Sequence, residues 1–535
     1  MDIKRLLLFV VLSFSILTIW GQLHSNKPTP NATVDTTKTT GTQASTDIPS
    51  SFNLIKDKRV SVTTDVLKAE IDLSGGDIRT VELVKHKSAQ SVDKNFVLLS
   101  DNQADKIYIT QSGLLGEGMP NHKTLYQADK TEYQLNETDN NVQVVLHFKN
   151  ESVSVTKTYT FKRGDYAIDV SYQVNNISDK AINPWVYYQI IHDDKSDQAA
   201  KMVPTFTGGA YFNAESKYKK IAFKDMAKSN LNTNSADGWI GFAQHYFVSA
   251  WIPQHIKNQT FYTDKLTDSI YAIGTKFNVG EIPAGGSKTA QAVFYSGPQS
   301  HDDLAKTAPG LEYTVDYGWL TFIASPLFKL LALINDFAGN WGVSIIILTI
   351  IIKILFYPLS AAGYRNMAQM RELAPRLQSM KDKFGDDKQK LHQAMMELYK
   401  KEKINPFGGC LPILIQIPVF ISLYWMLLGS VEMRHAPFML WITDLSAADP
   451  YYVLPVLMAI SMLIQTKLNP KPTDPMQAKL MMFMPLVFSV FFFFFPAGLV
   501  LYWLVNNILS IIQQVQINRS IHALALAKKK GNVSH

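Results

Sequence analysis

The sequence predicts a polytopic α-helical membrane protein with six transmembrane helices, an all-β sandwich on the far side of the membrane and a helical hairpin on the near side. Three observations predict it. Six apolar runs approach the thickness of a bilayer hydrocarbon core. The long region between the first and second runs alternates with period two. The charge is split: residues 24–328 hold 30 Lys+Arg against 33 Asp+Glu, while residues 1–23 and 329–535 hold 22 against 12. The overall net charge of +7 therefore belongs to the apolar part and its connections. Connections on the cytoplasmic side concentrate Lys and Arg, whereas a nucleic-acid binder carries its basic patch on a soluble domain. No DNA partner is expected.

Residues 1–23 contain Lys4 and Arg5, then an apolar run from Leu6 to Trp20. No small-residue cleavage site follows, and no Cys is available there for lipid attachment, so a retained anchor is expected. Residues 24–55 are rich in Ser, Thr, Pro and Asn and read as a flexible linker. Residues 56–318 are the β region. Val142, Val144, Leu146 and Phe148 share one strand face, as do Ile168, Val170, Tyr172 and Val174. Turn signals at Ser74-Gly75-Gly76-Asp77, Arg163-Gly164-Asp165 and Pro283-Ala284-Gly285-Gly286 punctuate the strands and predict an antiparallel sandwich. Residues 319–340 read as an amphipathic helix with Leu327, Leu330, Leu331, Ile334 and Phe337 on one face, lying at the interface or buried as a linker.

Residues 341–518 contain five apolar segments, about 342–359, 411–428, 452–468, 480–495 and 498–515. The 361–405 loop carries ten Lys and Arg, the 429–451 loop only Arg434, and the 496–498 turn none. The tail, 519–535, adds Arg519 and Lys528 to Lys530. This alternation places both termini in the cytoplasm and the β region outside. In the 361–405 loop, Met367, Met370, Leu373 and Leu377, then Leu391, Met395 and Leu398, keep helical spacing about a Gly385-Asp386-Asp387 turn, with Pro375 as a possible kink. The apolar stripes pack the two arms together or form a Met-rich surface for apolar segments.

Lys353 sits among Ile350, Ile351, Ile352, Ile354, Leu355 and Phe356. A charge there costs roughly 2.5–3.5 kcal/mol on insertion scales. It either snorkels to the inner surface, six residues away if the span ends at 359, or faces a hydrated cavity. Thr349 lies one turn before it. Gln416, Ser461, Gln465, Asn506, Asn507 and Ser510 occupy other spans, where each either satisfies one interhelical bond or helps line such a cavity. Pro412, Pro418 and Pro485 lie inside spans. The single cysteine, Cys410, excludes a disulfide framework and a Cys-based metal site, and no cofactor or metal is expected.

Asn405-Pro406-Phe407-Gly408-Gly409-Cys410-Leu411-Pro412, followed by Gln416-Ile417-Pro418-Val419-Phe420, resembles the bacterial YidC membrane protein insertase family. So do Thr473-Asp474-Pro475-Met476, the run Phe495 to Trp503, and the anchor plus large exported domain of its Gram-negative form. The resemblance implies an insertase and chaperone of the cell inner membrane, without catalytic residues. Five core spans would enclose a hydrophilic groove open to cytoplasm and lipid, with the β domain in the periplasm. It implies nascent membrane proteins as clients, the Sec translocon (SecYEG with SecDF), the ribosome through the basic hairpin and tail, and membrane lipids as partners. By position, Lys353, Thr349, Gln416, Asn506 and Ser510 would line the groove, with Lys353 where the family commonly has arginine. Ile417, Phe420, Phe494, Tyr502 and Trp503 would contact the client. On composition alone these five read as lipid-facing or packing residues.

Other classes fit less well. A solute transporter is disfavoured by an odd number of core spans and no evident repeat. No H-E-x-x-H, P-loop or G-x-S-x-G motif marks an intramembrane enzyme, and His392 and His435 stand apart from any nucleophile. A sugar platform of Trp239, Trp251 and Tyr262 would need those rings exposed.

Overall fold

The computed structural model describes residues 48, 54–88, 91, 93–103, 106–195, 206–385, 387–402, 411–469 and 475–531. The expected anchor, most of the linker, the Asn405–Cys410 motif and Thr473-Asp474 lie outside the described residues. All of the description below falls within the unit Thr46–His535.

Alternation in the sequence becomes a two-sheet sandwich, with sheets of ten and nine strands among the described residues. In the strand Val153–Lys162 every second residue is buried, and the same holds along most of its neighbour Ala167–Asn176. The two pair antiparallel from Ile168 opposite Phe161 to Asn176 opposite Val153. On its other side Ala167–Asn176 pairs with Ser287–Pro298, Ala167 opposite Tyr295. The predicted inward face of Ile168, Val170, Tyr172 and Val174 is buried in the core between the sheets. Trp239, Trp251 and Tyr262 are buried too, and their polar tips bond internally to the Pro309 carbonyl, the Gln189 carbonyl and Gln189 Oε1. They are core, which removes the sugar platform.

Glycines mark the turns where φ must be positive. Gly75, Gly76, Gly164 and Gly285 all take it, as the turn signals require. Gly238 has φ of 100°, and a Cβ there would collide with the Phe212 carbonyl. Gly238→Ala is expected to destabilise the domain by at least about 1–3 kcal/mol, read as a lower urea midpoint for unfolding of the β region.

One inward position breaks the apolar pattern. Val153, Val155, Lys157, Tyr159 and Phe161 share the buried face, and Lys157 is fully enclosed. Its Nζ donates to the Gly75 carbonyl at 3.1 Å and to Asp77 Oδ1 at 3.3 Å, with the rings of Tyr126, Tyr159 and Tyr172 around it. Asp77 also accepts from the Ser112 amide and faces Arg79. Burial pushes Lys157 down to about 8 and Asp77 up to about 6, each opposed by the other's charge.

Ten helices are described. Two short ones, α1 (Phe223–Met226) and α2 (His301–Thr307), belong to the sandwich. The others are α3 (Thr321–Ala338), α4 (Trp341–Leu355), α5 (Tyr357–Phe384), α6 (Lys388–Lys401), α7 (Leu411–Gly429), α8 (Val453–Leu468), α9 (Pro475–Phe491) and α10 (Ala497–Gly531). By length and composition, Gly318–Ala338 and Ala497–Ile521 suffice to cross a membrane, and α4 with α5 forms a third candidate bent by 66°. The apolar stretches Ile415–Gly429, Val453–Leu468 and Met482–Phe491 are shorter. The 16 residues of α8 reach about 24 Å at 1.5 Å per residue, short of a ~30 Å hydrocarbon core.

Several boundaries differ from the sequence reading; the segment expected at 480–495, for one, is helical over Pro475–Phe491. The segment expected to run to 359 ends at Leu355, because Phe356 leaves helical geometry and Pro358, lacking an N–H, opens the next helix. The last helix, expected to end at 515, continues to Gly531. The segment expected as a hairpin is a pair of packed helices, α5 and α6. Leu373, Leu377 and Tyr399 are buried between them, with Met370, Met395 and Leu398 alongside. The two methionines thus serve packing. Pro375 lies inside α5, Arg376 Nη1 clasps Glu402 Oε1 at 2.8 Å, and Asp387 caps α6 by accepting from the Lys390 amide.

Candidate functional site

Lys353 falls in the last turn of α4, two residues from its end rather than six. Only 5% of it is exposed. Its Nζ donates to Ser510 Oγ of α10 at 2.7 Å, and Ser510 donates in turn to the Asn506 carbonyl at 2.7 Å. An ammonium has three donors, and Ser510 is its one side-chain partner among the described residues. No carboxylate stands within ion-pair distance there, again among the described residues. A buried cation without a counter-charge attracts any acidic group that reaches it.

The helices that hold Lys353 are joined by a polar seam. Thr349 is buried one turn away and donates to the Ile345 carbonyl of its own helix. Between α8 and α10, Asn507 Nδ2 donates to Ser461 Oγ at 2.8 Å and Gln465 Nε2 to Gln514 Oε1 at 2.7 Å. Gln514, buried one turn beyond Ser510, was not singled out in the sequence; its spacing of four from Ser510 was the available signal. Of the five expected groove residues, Lys353 and Ser510 join α4 to α10, Asn506 takes part through its backbone carbonyl, and Thr349 lies one turn from Lys353 on α4. Gln416 is half-buried on α7 and no hydrogen bond joins it to this cluster among the described residues.

The five expected contact residues divide. Ile417 on α7 and Phe494, just past α9, are 40% and 61% exposed. Phe420 packs edge-on against Trp503 at 4.5 Å, and Phe492 meets the same indole at 4.9 Å. Trp503 is half-buried and its Nε1 has no partner among the described residues. Tyr502 is buried and stacks with Phe420 at 6.1 Å, so in this conformation it supports the aromatic cluster and presents no surface. Beside them Val456, Leu457, Ile460, Leu463 and Ile464 of α8 and Phe483, Val487 and Val490 of α9 are exposed. An apolar face this broad requires apolar surroundings.

The comparisons with known proteins agree across the chain. The family model of the YidC periplasmic domain matches residues 59–330, and that of the 60Kd inner membrane protein matches residues 333–524. A membrane protein insertase YidC from Methylobacillus flagellatus is 58% identical, covering 99% of this chain and 100% of the relative. One from Aromatoleum aromaticum is 48% identical, covering 98% of each. Among solved structures, an active YidC insertase with its first transmembrane domain resolved is 18% identical with a TM-score of 0.39, covering 86% of this chain and 92% of that one.

Proposed function

The chain belongs to the YidC family of membrane protein insertases of the inner membrane, with a periplasmic β-sandwich and a helical membrane region, and from that membership we propose that it inserts its clients along α7, α9 and α10, with Lys353 as the charge that receives their polar ends. The observation that carries this reading is the Lys353 ammonium, buried on Ser510 with no carboxylate beside it among the described residues, amid helices whose outer faces are apolar.

The mechanism has three steps. The basic α5–α6 hairpin and the tail approach the ribosome or anionic lipid on the cytoplasmic side, where both termini lie. A nascent apolar segment slides along Ile417, Phe420, Phe494 and Trp503 while its short polar end enters the groove lined by Lys353, Thr349, Gln416, Asn506 and Ser510. That groove shortens the apolar barrier and lowers the cost of desolvating the polar end. Transfer of the client into lipid, at ~0.8 kcal/mol per buried CH₂, drives the step. The membrane potential adds ~2.3 kcal/mol per charge per 100 mV for acidic ends moving outward. In this reading the chain has six spans including the amino-terminal anchor, α3 lies along the interface, and no enzymatic step is involved. The chain acts alone or with the Sec translocon, SecYEG with SecDF.

The test is reconstitution. Proteoliposomes containing the purified protein and a short single-span client are expected to yield protease-protected client well above protein-free liposomes. Equal protection with and without the protein overturns the reading, and solute flux without insertion would favour a transporter.

A further inference from the structure

The connection between α7 and α8 docks against one end of the β-sandwich, and titratable groups crowd this seam. Arg434 places its guanidinium over the rings of Phe96 and Phe247, at 5.1 and 5.6 Å from their centroids. Those two rings stack on each other at 4.3 Å, and His86 meets Phe247 edge-on at 5.6 Å. His245 Nε2 donates to the Leu428 carbonyl at the end of α7, at 2.9 Å. His435 Nε2 donates to the Lys87 carbonyl at 3.2 Å, while its Nδ1 faces Asp444 at 3.2 Å. Of the chain's 12 histidines, three stand within this one contact, around a fixed arginine.

We propose that this seam is an acid-released clasp: Arg434, seated on Phe96 and Phe247, holds the β-sandwich against the ends of the membrane helices, and protons taken up by His86 and His245 release it.

The charges facing each group decide the sign. His86 faces Lys85, Arg434 and His435, and shares a cavity of about 320 Å³ with Glu432 and Asp303. His245 faces Arg434, and lines a second cavity, of about 400 Å³, with Lys220 and Asp316, which are themselves paired. Burial beside these cations holds both imidazoles down to about 4 in the closed seam. Opened, they return to an ordinary value of ~6.5. The open form therefore takes up protons that the closed form refuses, and closure weakens as pH falls through ~6.5 toward 4. Glu432 works the other way. Burial near Asp302 and Asp303 pushes it up to about 7, so the closed form gains its proton first and closure strengthens between pH 7 and its ordinary ~4.3. Two histidines outweigh one glutamate below pH ~6.5. Asp444 is engaged by His435 and leaves the other two histidines without a carboxylate at hydrogen-bond distance among the described residues.

The test uses the full-length protein in lipid nanodiscs with Cys410→Ser. Val431, 4% exposed on the wall of the first cavity, becomes the probe through Val431→Cys. Its maleimide labelling rate is divided at each pH by that of a separate Met439→Cys protein, where the side chain is 50% exposed. The normalised rate is expected to rise roughly tenfold between pH 7.5 and pH 5. Adding H86Q and H245Q should reverse the sign, because the proton that Glu432 gains on closure is then no longer opposed by those two imidazoles, and labelling should slow in acid. A flat or falling normalised rate without those changes overturns the clasp, as does an acid-induced rise that persists with both. Should the double change prevent folding, Glu432→Gln alone must steepen the acid-induced rise, and an unaltered slope overturns the proposal.

Discussion

Replacing Lys353 with alanine is expected to slow insertion of clients with acidic translocated ends by roughly three- to tenfold, the scale of one partly screened charge attraction. Lys353→Arg should insert them at nearly the original rate, since it keeps the charge and reaches Ser510 with a longer donor set. Clients whose translocated ends carry no acid should be affected least. The measurement is protease protection in proteoliposomes, run in parallel on the three proteins. Unimpaired insertion by Lys353→Ala across acidic clients would remove the charge from the mechanism and leave the insertase. Ser510→Ala separates attraction from positioning: it strips the ammonium of its described side-chain partner but keeps the charge, so it should act less severely than Lys353→Ala.

The largest stability effect is expected at Lys157. Lys157→Met removes the ammonium but leaves the Asp77 carboxylate fully enclosed, with Arg79 Nη2 at 3.8 Å as its remaining cation. Removing one partner of a buried pair costs about 3–5 kcal/mol because the other charge stays unpaired. Denaturant unfolding of the β region, followed by tryptophan fluorescence, should show the loss. Adding Asp77→Asn should recover part of it, since the uncompensated charge then disappears while the Ser112 amide keeps an acceptor. A single change worth under about 1 kcal/mol, or a double change worse than the single, would mean that the pair contributes little in this setting.

Much of the sandwich was legible because a strand's side chains alternate with period two. The stripe Ile168, Val170, Tyr172 and Val174 could face the core only if its strand paired in the observed register. The same rule hid Lys157. It occupies an inward slot between Val155 and Tyr159, where alternation points it to the core but its charge makes it look like a solvated residue. Its Asp77 partner lies 80 positions earlier. The membrane helices were legible as apolar runs, but their ends were not. Pro358 stops α4 early, and that moves Lys353 from the interior of a span to a helix end.

The candidate site was half legible. A lysine among isoleucines is visible in any sequence, and the need to satisfy its donors follows from elementary electrostatics. Which residue satisfies it is not visible, because Ser510 lies 157 positions away on a helix that passes α4 only in the folded chain. Tyr502 and Trp503 are adjacent in sequence, yet the rotation of α10 buries the first and leaves the second half open. The seam around Arg434 was legible in none of its parts, since its contacts join residues up to 348 positions apart.

By itself, then, the sequence determined that this chain divides into a charged, alternating β region and a basic, apolar helical region with one lysine among the apolar residues. Those properties follow from local periodicity and from the cost of placing charge in hydrocarbon. The tertiary structure decided which polar groups meet: Lys353 with Ser510, Lys157 with Asp77, and Arg434 with the ring pair beneath it. Hydrogen bonds and ion pairs act over about 3 Å, and only the packing of distant segments brings donors and acceptors within that range.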